Sequence, residues 1–360
     1  MRKTPKVSVV IPTYNRAHML PRCIDAVLSQ TLPDFEIIVV SDGSTDDTKD
    51  VVERYGDPRI SFFEKENGGQ ASARNLGMQY SRGDYIAFCD DDDRIYADHL
   101  STLSPVLDAR EDIGLVYSDA VWVYPNASGS SKAAFSRDFN KKELENYNYI
   151  TTQTILFRKT CIACKDGCVC FNEDPALRNG LEDWDFLLRL SDRFPFFHVK
   201  KVTAEYIVHE GNSFHSGSGY DYNQAFLFVR TRRFRHLIQR FGAALFHHVD
   251  HMYPFHLVQC LLDNGEYDTA VETSHRLLEL HRAFTKTHEG DDITPLVLLF
   301  CLGISSYAAG HREDSKACFK AIRQSDRYEA HAPQFNQFIG EYVRKMTHKG
   351  LGDVLAGFFS

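Results

Sequence analysis

The chain has 360 residues, 43% hydrophobic and 25% charged, enough for two domains of ordinary globular composition. Its 49 acidic residues outnumber 41 basic ones, giving a formal net charge of -8, and no basic block stands out, which removes the electrostatic case for a nucleic-acid partner. The longest apolar run, Leu296–Ile304, falls far short of the roughly 20 residues of a membrane-spanning helix.

The start, Met1-Arg-Lys-Thr-Pro-Lys followed by Val7–Ile11, has neither the apolar core nor the small-residue cleavage site of a signal peptide. The expected location is the cytoplasm, with peripheral membrane contact left open but no visible anchor for it. Nine cysteines, an odd number in a large chain, read as free thiols in a reducing compartment. The sequon Asn126-Ala-Ser128 then carries no meaning.

In chain order, Val7–Ile11, Glu36–Val40, Ile60–Phe63 and Tyr85–Cys89 predict strands: they are short, rich in Val, Ile and Phe, and end in polar residues. Arg16–Gln30, Thr45–Tyr55 and Gly69–Ser81 carry helix-spaced apolar residues between them. Ser44 or Thr45 is positioned to cap the second helix, with Asp46 and Asp47 in the first turn, where the helix dipole favours acids. This β-α order predicts an α/β fold with a parallel sheet and helices on both faces. Further strands are expected at Leu115–Tyr124, Thr151–Arg158 and Phe196–Val208, with a loop at Pro125–Ser131. From about Tyr220 the pattern becomes helical. There, Gly265 and Gly310 each sit between an apolar helix end and a second helix, as in tetratricopeptide pairs, although their spacing of 45 exceeds the roughly 34 of that repeat. A generic helical bundle explains the pattern equally well. The expected domains are 1–219 and a smaller all-α domain, 220–360.

Ligands of open α/β sheets gather at the carboxyl ends of the strands. Asp90-Asp91-Asp92-Asp93 follows a strand directly. Four adjacent carboxylates repel one another unless a cation sits among them, and hard ions such as Mg²⁺ or Mn²⁺ bind one or two carboxylates together with substrate phosphates. A solvated acidic turn is the plainer alternative. Asp42-Gly-Ser leaves the second strand and can either accept hydrogen bonds from a nucleoside or form an Asx turn. Ile11-Pro-Thr-Tyr-Asn-Arg16 ends the first strand, with Tyr14 available to stack on a base. In Asn67-Gly-Gly-Gln-Ala-Ser-Ala-Arg-Asn75 the glycines admit close backbone approach, and Arg74 can pair with a phosphate or with the acidic run. Glu182 and Asp183 open a helix, where they are either dipole-favoured acids or a base facing an acceptor.

Together these segments resemble the family 2 inverting glycosyltransferases of GT-A fold, over roughly Val7 to Ser213. The resemblance implies a nucleotide-sugar donor, commonly a UDP-sugar, and an acceptor hydroxyl in glycan or polysaccharide assembly. Pro12, Thr13, Tyr14, Asn15 and Asp42 are then expected at the nucleoside and Arg74 beside the diphosphate or the acidic run. Asp90, Asp91 and Asp92 match an Asp-x-Asp motif, with Asp90 and Asp91 at the donor and Asp92, joined by Asp90, holding Mn²⁺ or Mg²⁺. Asp183 matches the catalytic base with Glu182 beside it, and His209 matches a histidine near the diphosphate. Two positions depart from the pattern: Ala97 stands where a proline often follows the acidic run, and Ile207 where an arginine often precedes the late histidine, which puts one diphosphate contact in doubt.

Cys161-Ile-Ala-Cys-Lys-Asp-Gly-Cys-Val-Cys170 pairs Cys-x2-Cys with Cys-x-Cys, either simple thiols in a variable loop or a zinc site; the first is favoured because structural zinc sites usually separate their ligand pairs by more than three residues. A nucleotidyl- or phosphotransferase is the second enzyme reading, weakened for kinases and dehydrogenases by the lack of a P-loop and of Gly-x-Gly-x-x-Gly after a strand. A non-catalytic nucleotide-sugar-sensing scaffold, acting through a protein partner on the C-terminal helices, is the competing class. Retained Asp92 and Asp183 argue against it. Single-sugar transfer is favoured over processive synthesis.

Overall fold

The computed structural model describes residues 4–124, 131–164, 167–178, 180–208, 222–250, 252–285 and 293–345. They divide into two compact units, Met1–Tyr222 and Asn223–Ser360.

The first unit runs β1 (Val7–Thr13), α1 (Leu20–Leu28), β2 (Phe35–Ser41), α2 (Thr48–Glu53), β3 (Ile60–Glu64), α3 (Gln70–Tyr80), β4 (Tyr85–Phe88), β5 (Arg94–Ile95) and α4 (His99–Ala109). It continues through β6 (Leu115–Val123), β7 (Ser131–Phe135), α5 (Lys141–Leu144), β8 (Ile155–Arg158), β9 (Ala163–Cys164), β10 (Gly167–Cys168), α6 (Glu182–Ser191) and β11 (Phe196–Ile207). The main sheet has the order β3-β2-β1-β4-β8-β6-β11-β5, with β7 paired to β6.

β1 and β2 are buried along their whole length because both faces of the sheet are covered. Val7, Val9 and Ile11 pack with Leu20, Ile24 and Val27 of α1 and Leu100, Leu103 and Leu107 of α4. Val10, on the opposite face, lies under α3. There the helix approaches so closely that a Cβ built on Gly77 would stand 2.3 Å from Val10 Cγ1. Gly77→Ala is therefore expected to lower stability by about 1–3 kcal/mol, the usual effect of overpacking a filled core. A thermal melt checks this, and adding Val10→Ala is expected to recover part of the loss.

The sheet is mixed rather than parallel. β1 to β4 pair in parallel, but β8 runs antiparallel between β4 and β6, and β5 antiparallel on β11. Thr151–Thr154 does not join the strand predicted there: Thr152–Thr154 coils into a 3-10 turn before β8. α1 begins at Leu20 rather than Arg16, because the preceding residues are tied to the strand ends. Ala17 N donates to Asp46 Oδ2 at 2.9 Å, and Arg16 reaches the acidic run. Ser44 and Thr45 do not cap α2. Ser44 Oγ accepts from Asn15 N and Thr45 N donates to Asn15 Oδ1, while Asp46 Oδ1 accepts from the amide and hydroxyl of Thr48 at the helix start.

The second unit consists of α7 (Tyr222–Phe241), α8 (Met252–Asp263), α9 (Tyr267–Thr285), α10 (Thr294–Ala308), α11 (Arg312–Arg323) and α12 (Asp326–Lys345). α8–α9 and α10–α11 are hairpins that turn at Gly265 (φ 76°) and Gly310 (φ 88°), a conformation open to glycine at little cost. Most apolar residues of α10, among them Leu296, Val297, Leu298, Phe300 and Ile304, are buried in this unit's own core with Leu257, Leu261, Leu277 and Phe319. Among the described residues no helix is long and apolar enough to cross a membrane.

Candidate active site

The carboxyl ends of β1, β2 and β4 carry the three motifs that the sequence picks out. At β1, Pro12 and Thr13 are buried, whereas Tyr14 is 48% exposed. Asn15 takes a left-handed backbone (φ 51°), and its side chain bridges to the loop after β2 by accepting from Thr45 N at 2.7 Å. Asp42 N donates to Thr13 O at 2.9 Å, so the two strand ends are stitched together.

The Asp42 carboxylate is buried and organises the glycine loop. It accepts from Lys65 Nζ at 2.9 Å, Gly68 N at 2.9 Å and Gly69 N at 2.7 Å. Asn67 Nδ2 closes the turn onto Asp42 O at 2.9 Å. The loop therefore enters α3 in a fixed direction and carries Arg74 toward β4.

Arg74 is the electrostatic centre of the site. Its guanidinium is buried, lies 5.3 Å from the Phe171 ring centroid, and joins two carboxylates from distant parts of the chain. One terminal nitrogen donates to both oxygens of Asp90, at 2.7 and 2.9 Å, and the other to Glu182 Oε1 at 2.5 Å. Thr152 Oγ1 adds a donor to Asp90 at 3.2 Å. Fork geometry of this kind suits arginine and no other side chain.

The rest of the acidic run is distributed by role. Asp91 and Asp92 share one nitrogen of Arg16, at 2.9 and 2.6 Å. Burial and the neighbouring Asp92 push the Asp91 carboxyl up to about 6, against the pull of Arg16. Asp93 is fully buried, accepts Ile207 N at 3.1 Å and so ties the run to β11; burial and the charges of Asp92 and Asp90 hold its carboxyl well above the usual range.

Glu182 and Asp183 open α6, which the buried Trp184 anchors by donating Nε1–H to Leu144 O at 2.7 Å. Leu181 before them is held at φ 64°, a strained conformation for a branched residue of the kind that collects at functional sites. Glu182 is buried against Arg74. Asp183 stays partly accessible, its Oδ1 accepting from Trp184 N at 2.7 Å and its Oδ2 from Asn148 Nδ2 at 2.9 Å. Burial first, and then the charge of Glu182, push its carboxyl up to about 7, while Arg74 pulls the other way. A carboxylate with that value is poised to take a proton near neutrality.

One chain of contacts thus links Thr13, Asp42, the glycine loop, Arg74, Asp90, Glu182 and Asp183, with Asp91 and Asp92 joined through Arg16. His209 lies outside the described residues. Sequence reasoning gave no role to Arg16, Lys65, Asn148 or Thr152. Arg16 closes the quoted first motif, a signal that was available; Lys65 and Asn148 stand in stretches with no pattern to mark them, and Thr152 in a segment whose strand-like composition hid its turn. Among the described residues no three His, Cys, Asp or Glu side chains gather as a metal cage. Cys161 is buried with Sγ 3.7 Å from Gly114 O, Cys170 is exposed, and both are free thiols.

The sequence model for Glycosyl transferase family 2 matches residues 8–166, which hold the strand ends, the glycine loop, Arg74 and the acidic run. These residues form a family 2 glycosyltransferase domain. Over 217 residues the chain is 32% identical to the hyaluronan synthase of Pasteurella multocida, covering 59% of this chain and 21% of that one. The chondroitin synthase of Pasteurella multocida (strain Pm70) matches at 32% over 217 residues, with 59% and 22% covered. The chain therefore spans about a fifth of the length of these curated relatives. The crystal structure of S. aureus TarS 1-349 is similar across 89% of this chain and 91% of that one, with a TM-score of 0.56 and 16% identity, which shows a shared fold. The glycosyltransferase domain is of the GT-A kind: a mixed sheet flanked by helices and followed by a helical region.

Proposed function

We propose that the glycosyltransferase domain moves a sugar from a nucleotide-diphosphate donor to an acceptor hydroxyl, with inversion at the anomeric carbon. The observation that carries this reading is the joining, through Arg74, of the acidic run at the end of β4 to the acidic pair that opens α6. A donor diphosphate at Asp90–Asp92 then stands beside the one partly accessible carboxylate of that pair. Uridine is the proposed nucleoside: TarS 1-349 has been crystallised with UDP-GlcNAc and with UDP. Tyr14, exposed at the end of β1, is available to stack on the base, and Pro12, Thr13, Asn15 and Asp42 shape the floor beneath it.

The residues present fit a hard divalent ion that takes one or two carboxylates from the protein and its other ligands from phosphate and water. The donor set is all oxygen, and Asp91 Oδ2 is a buried acceptor without a hydrogen bond of good geometry. Asp92, with Asp90 or Asp91, would hold Mn²⁺ or Mg²⁺. Bound there, the ion supplies Lewis-acid stabilisation of the charge that builds on the leaving nucleotide. Arg16, paired with Asp91 and Asp92, would place a positive charge beside the diphosphate. Asp183 takes the proton of the acceptor hydroxyl as that oxygen attacks. Glu182 keeps Arg74 in place and is itself too buried to meet an acceptor. The helical unit, residues 223–360, is proposed to recruit the acceptor or a protein partner.

Calorimetry with a panel of nucleoside diphosphates and their sugars, with and without Mn²⁺, tests this reading. The expected result is metal-dependent binding of one nucleotide by the native chain and its loss in Asp92→Ala. Equal binding in EDTA would remove the metal from the proposal, and no binding by any nucleotide would remove the donor.

A further inference from the structure

We propose that Asn148 is the positioning residue for Asp183, its side-chain amide holding the carboxylate in the orientation that proton abstraction requires. The proposal rests on the reading of Asp183 as the base.

The segment between α5 and β8 is built to present this amide. Tyr149 and Ile150 are buried, and the Tyr149 hydroxyl both accepts from Asn140 N at 2.8 Å and donates to Asn140 O at 3.0 Å, closing the segment on itself. From the other side, Trp184 donates to Leu144 O and draws the start of α6 against α5. Asn148 is therefore held between two anchored elements. Its Oδ1 accepts from Ile150 N at 3.1 Å, which identifies the oxygen end of the amide and leaves Nδ2 as the end that meets Asp183. The resulting N–H donates to Asp183 Oδ2 at 2.9 Å.

Each oxygen of Asp183 thus has one donor, from a different element. Trp184 N, on the same helix, cannot set the rotation of the side chain by itself, because it meets a carboxylate attached one residue earlier. Asn148 supplies the second point that fixes the plane. It leaves the remaining lone pairs of the carboxylate directed away from both donors, where an acceptor hydroxyl can lie.

The charges around Asp183 make this neutral donor consequential. Glu182 on its own helix and Asp90 at the end of β4 oppose its ionisation, Arg74 from α3 favours it, and the Tyr206 phenol on β11 lies close enough to feel its charge. Two negative groups and burial outweigh one positive group, so a hydrogen bond to the anion counts toward keeping the base ionised at neutral pH. Removing it disfavours the anion and releases the side chain at once.

The test uses the full chain with [4-¹³C]aspartate, the Asp183 carboxyl resonance being identified by its loss in Asp183→Asn. The expected titration midpoint is near 7 in the native chain, about one pH unit higher in Asn148→Ala, and higher again in Asn148→Asp, which is isosteric and keeps the turn to Ile150. The acid limb of UDP release from the UDP-sugar chosen by the donor panel is expected to move by the same amount, with UDP affinity in Mn²⁺ unchanged. A midpoint that stays put in either folded variant overturns the proposal and leaves the base assignment standing. Turnover by Asp183→Asn at the native rate overturns the base assignment and the proposal with it.

Discussion

Asp183→Asn is expected to lower sugar transfer by about 10²–10⁴-fold, the range that a positioned general base contributes, while UDP binding in Mn²⁺ stays within about twofold of native. The two readouts separate because, among the described residues, Asp183 takes its hydrogen bonds from Asn148 and Trp184 rather than from Asp42, Arg16 or the acidic run, the groups proposed to hold the donor. Asparagine keeps the shape and, through its amide oxygen, can still accept from Asn148. The pH dependence follows from the carboxyl being pushed up to about 7. Below that value the base is protonated, so native turnover is expected to fall about tenfold per pH unit and to level off above it. Stability moves the opposite way. The unfolded carboxyl ionises near its ordinary value of about 3.9, so between there and about 7 the native state binds more protons than the unfolded one, and stability falls as pH rises through that window. Asparagine carries no such penalty. Asp183→Asn is thus expected to melt higher than native at pH 8 and to lose that advantage toward pH 4. A variant that melts equally at both pH values would show that the native carboxyl is not strained. A variant that cannot bind UDP would move Asp183 from the base to the donor site.

What could be read from the sequence divides along physical lines. β1 and β2 were legible because strands covered on both faces become unbroken apolar runs, and their polar ends mark where ligands gather. Strand direction was not legible: β8 is as apolar as β4, and nothing in its composition says that it runs antiparallel beside it. The acidic run and the Glu182–Asp183 pair announced themselves as charges at element starts. The tie between them did not, since Arg74 and Glu182 are 108 positions apart and a buried ion pair leaves no periodic trace. Asn148 lies in irregular backbone and Thr152 in a single 3-10 turn, both too short for a side-chain repeat, and they meet Asp183 and Asp90 across 35 and 62 positions. The glycine loop shows a different limit. For Asp42 the sequence offers a nucleoside ligand or a local Asx turn capping the next helix; its carboxylate instead accepts from Lys65, Gly68 and Gly69, a loop 23 to 27 positions away that no local turn pattern announces.

Arg74→Ala is expected to have the largest effect on folding of any single change in the site. The guanidinium is buried and spans Asp90 and Glu182, so alanine leaves the buried Glu182 and the partly buried Asp90 without their shared cation. Breaking a buried pair from one side costs about 3–5 kcal/mol, a large share of the stability of an ordinary domain. Lysine is expected to recover only a minor part, because a single ammonium cannot donate along both directions of the fork. Urea unfolding followed by the fluorescence of Trp184 in a Trp122→Phe background, the second of the two tryptophans being removed, reports on this part of the chain, because Trp184 is buried two residues from Glu182. The midpoint is expected to drop sharply at pH 7 and to recover partly on acidification, as the stranded carboxylates take up protons. Arg74→Ala also removes the positive charge that favours ionised Asp183, so any Arg74→Ala enzyme that folds should show its acid limb shifted to higher pH. Loss of stability without that shift would mean that Arg74 only braces the fold. Both together would mean that one buried cation supports the acidic run, locks the start of α6 and keeps the base ionised, which is why burying it on α3 is worth the desolvation that burial costs.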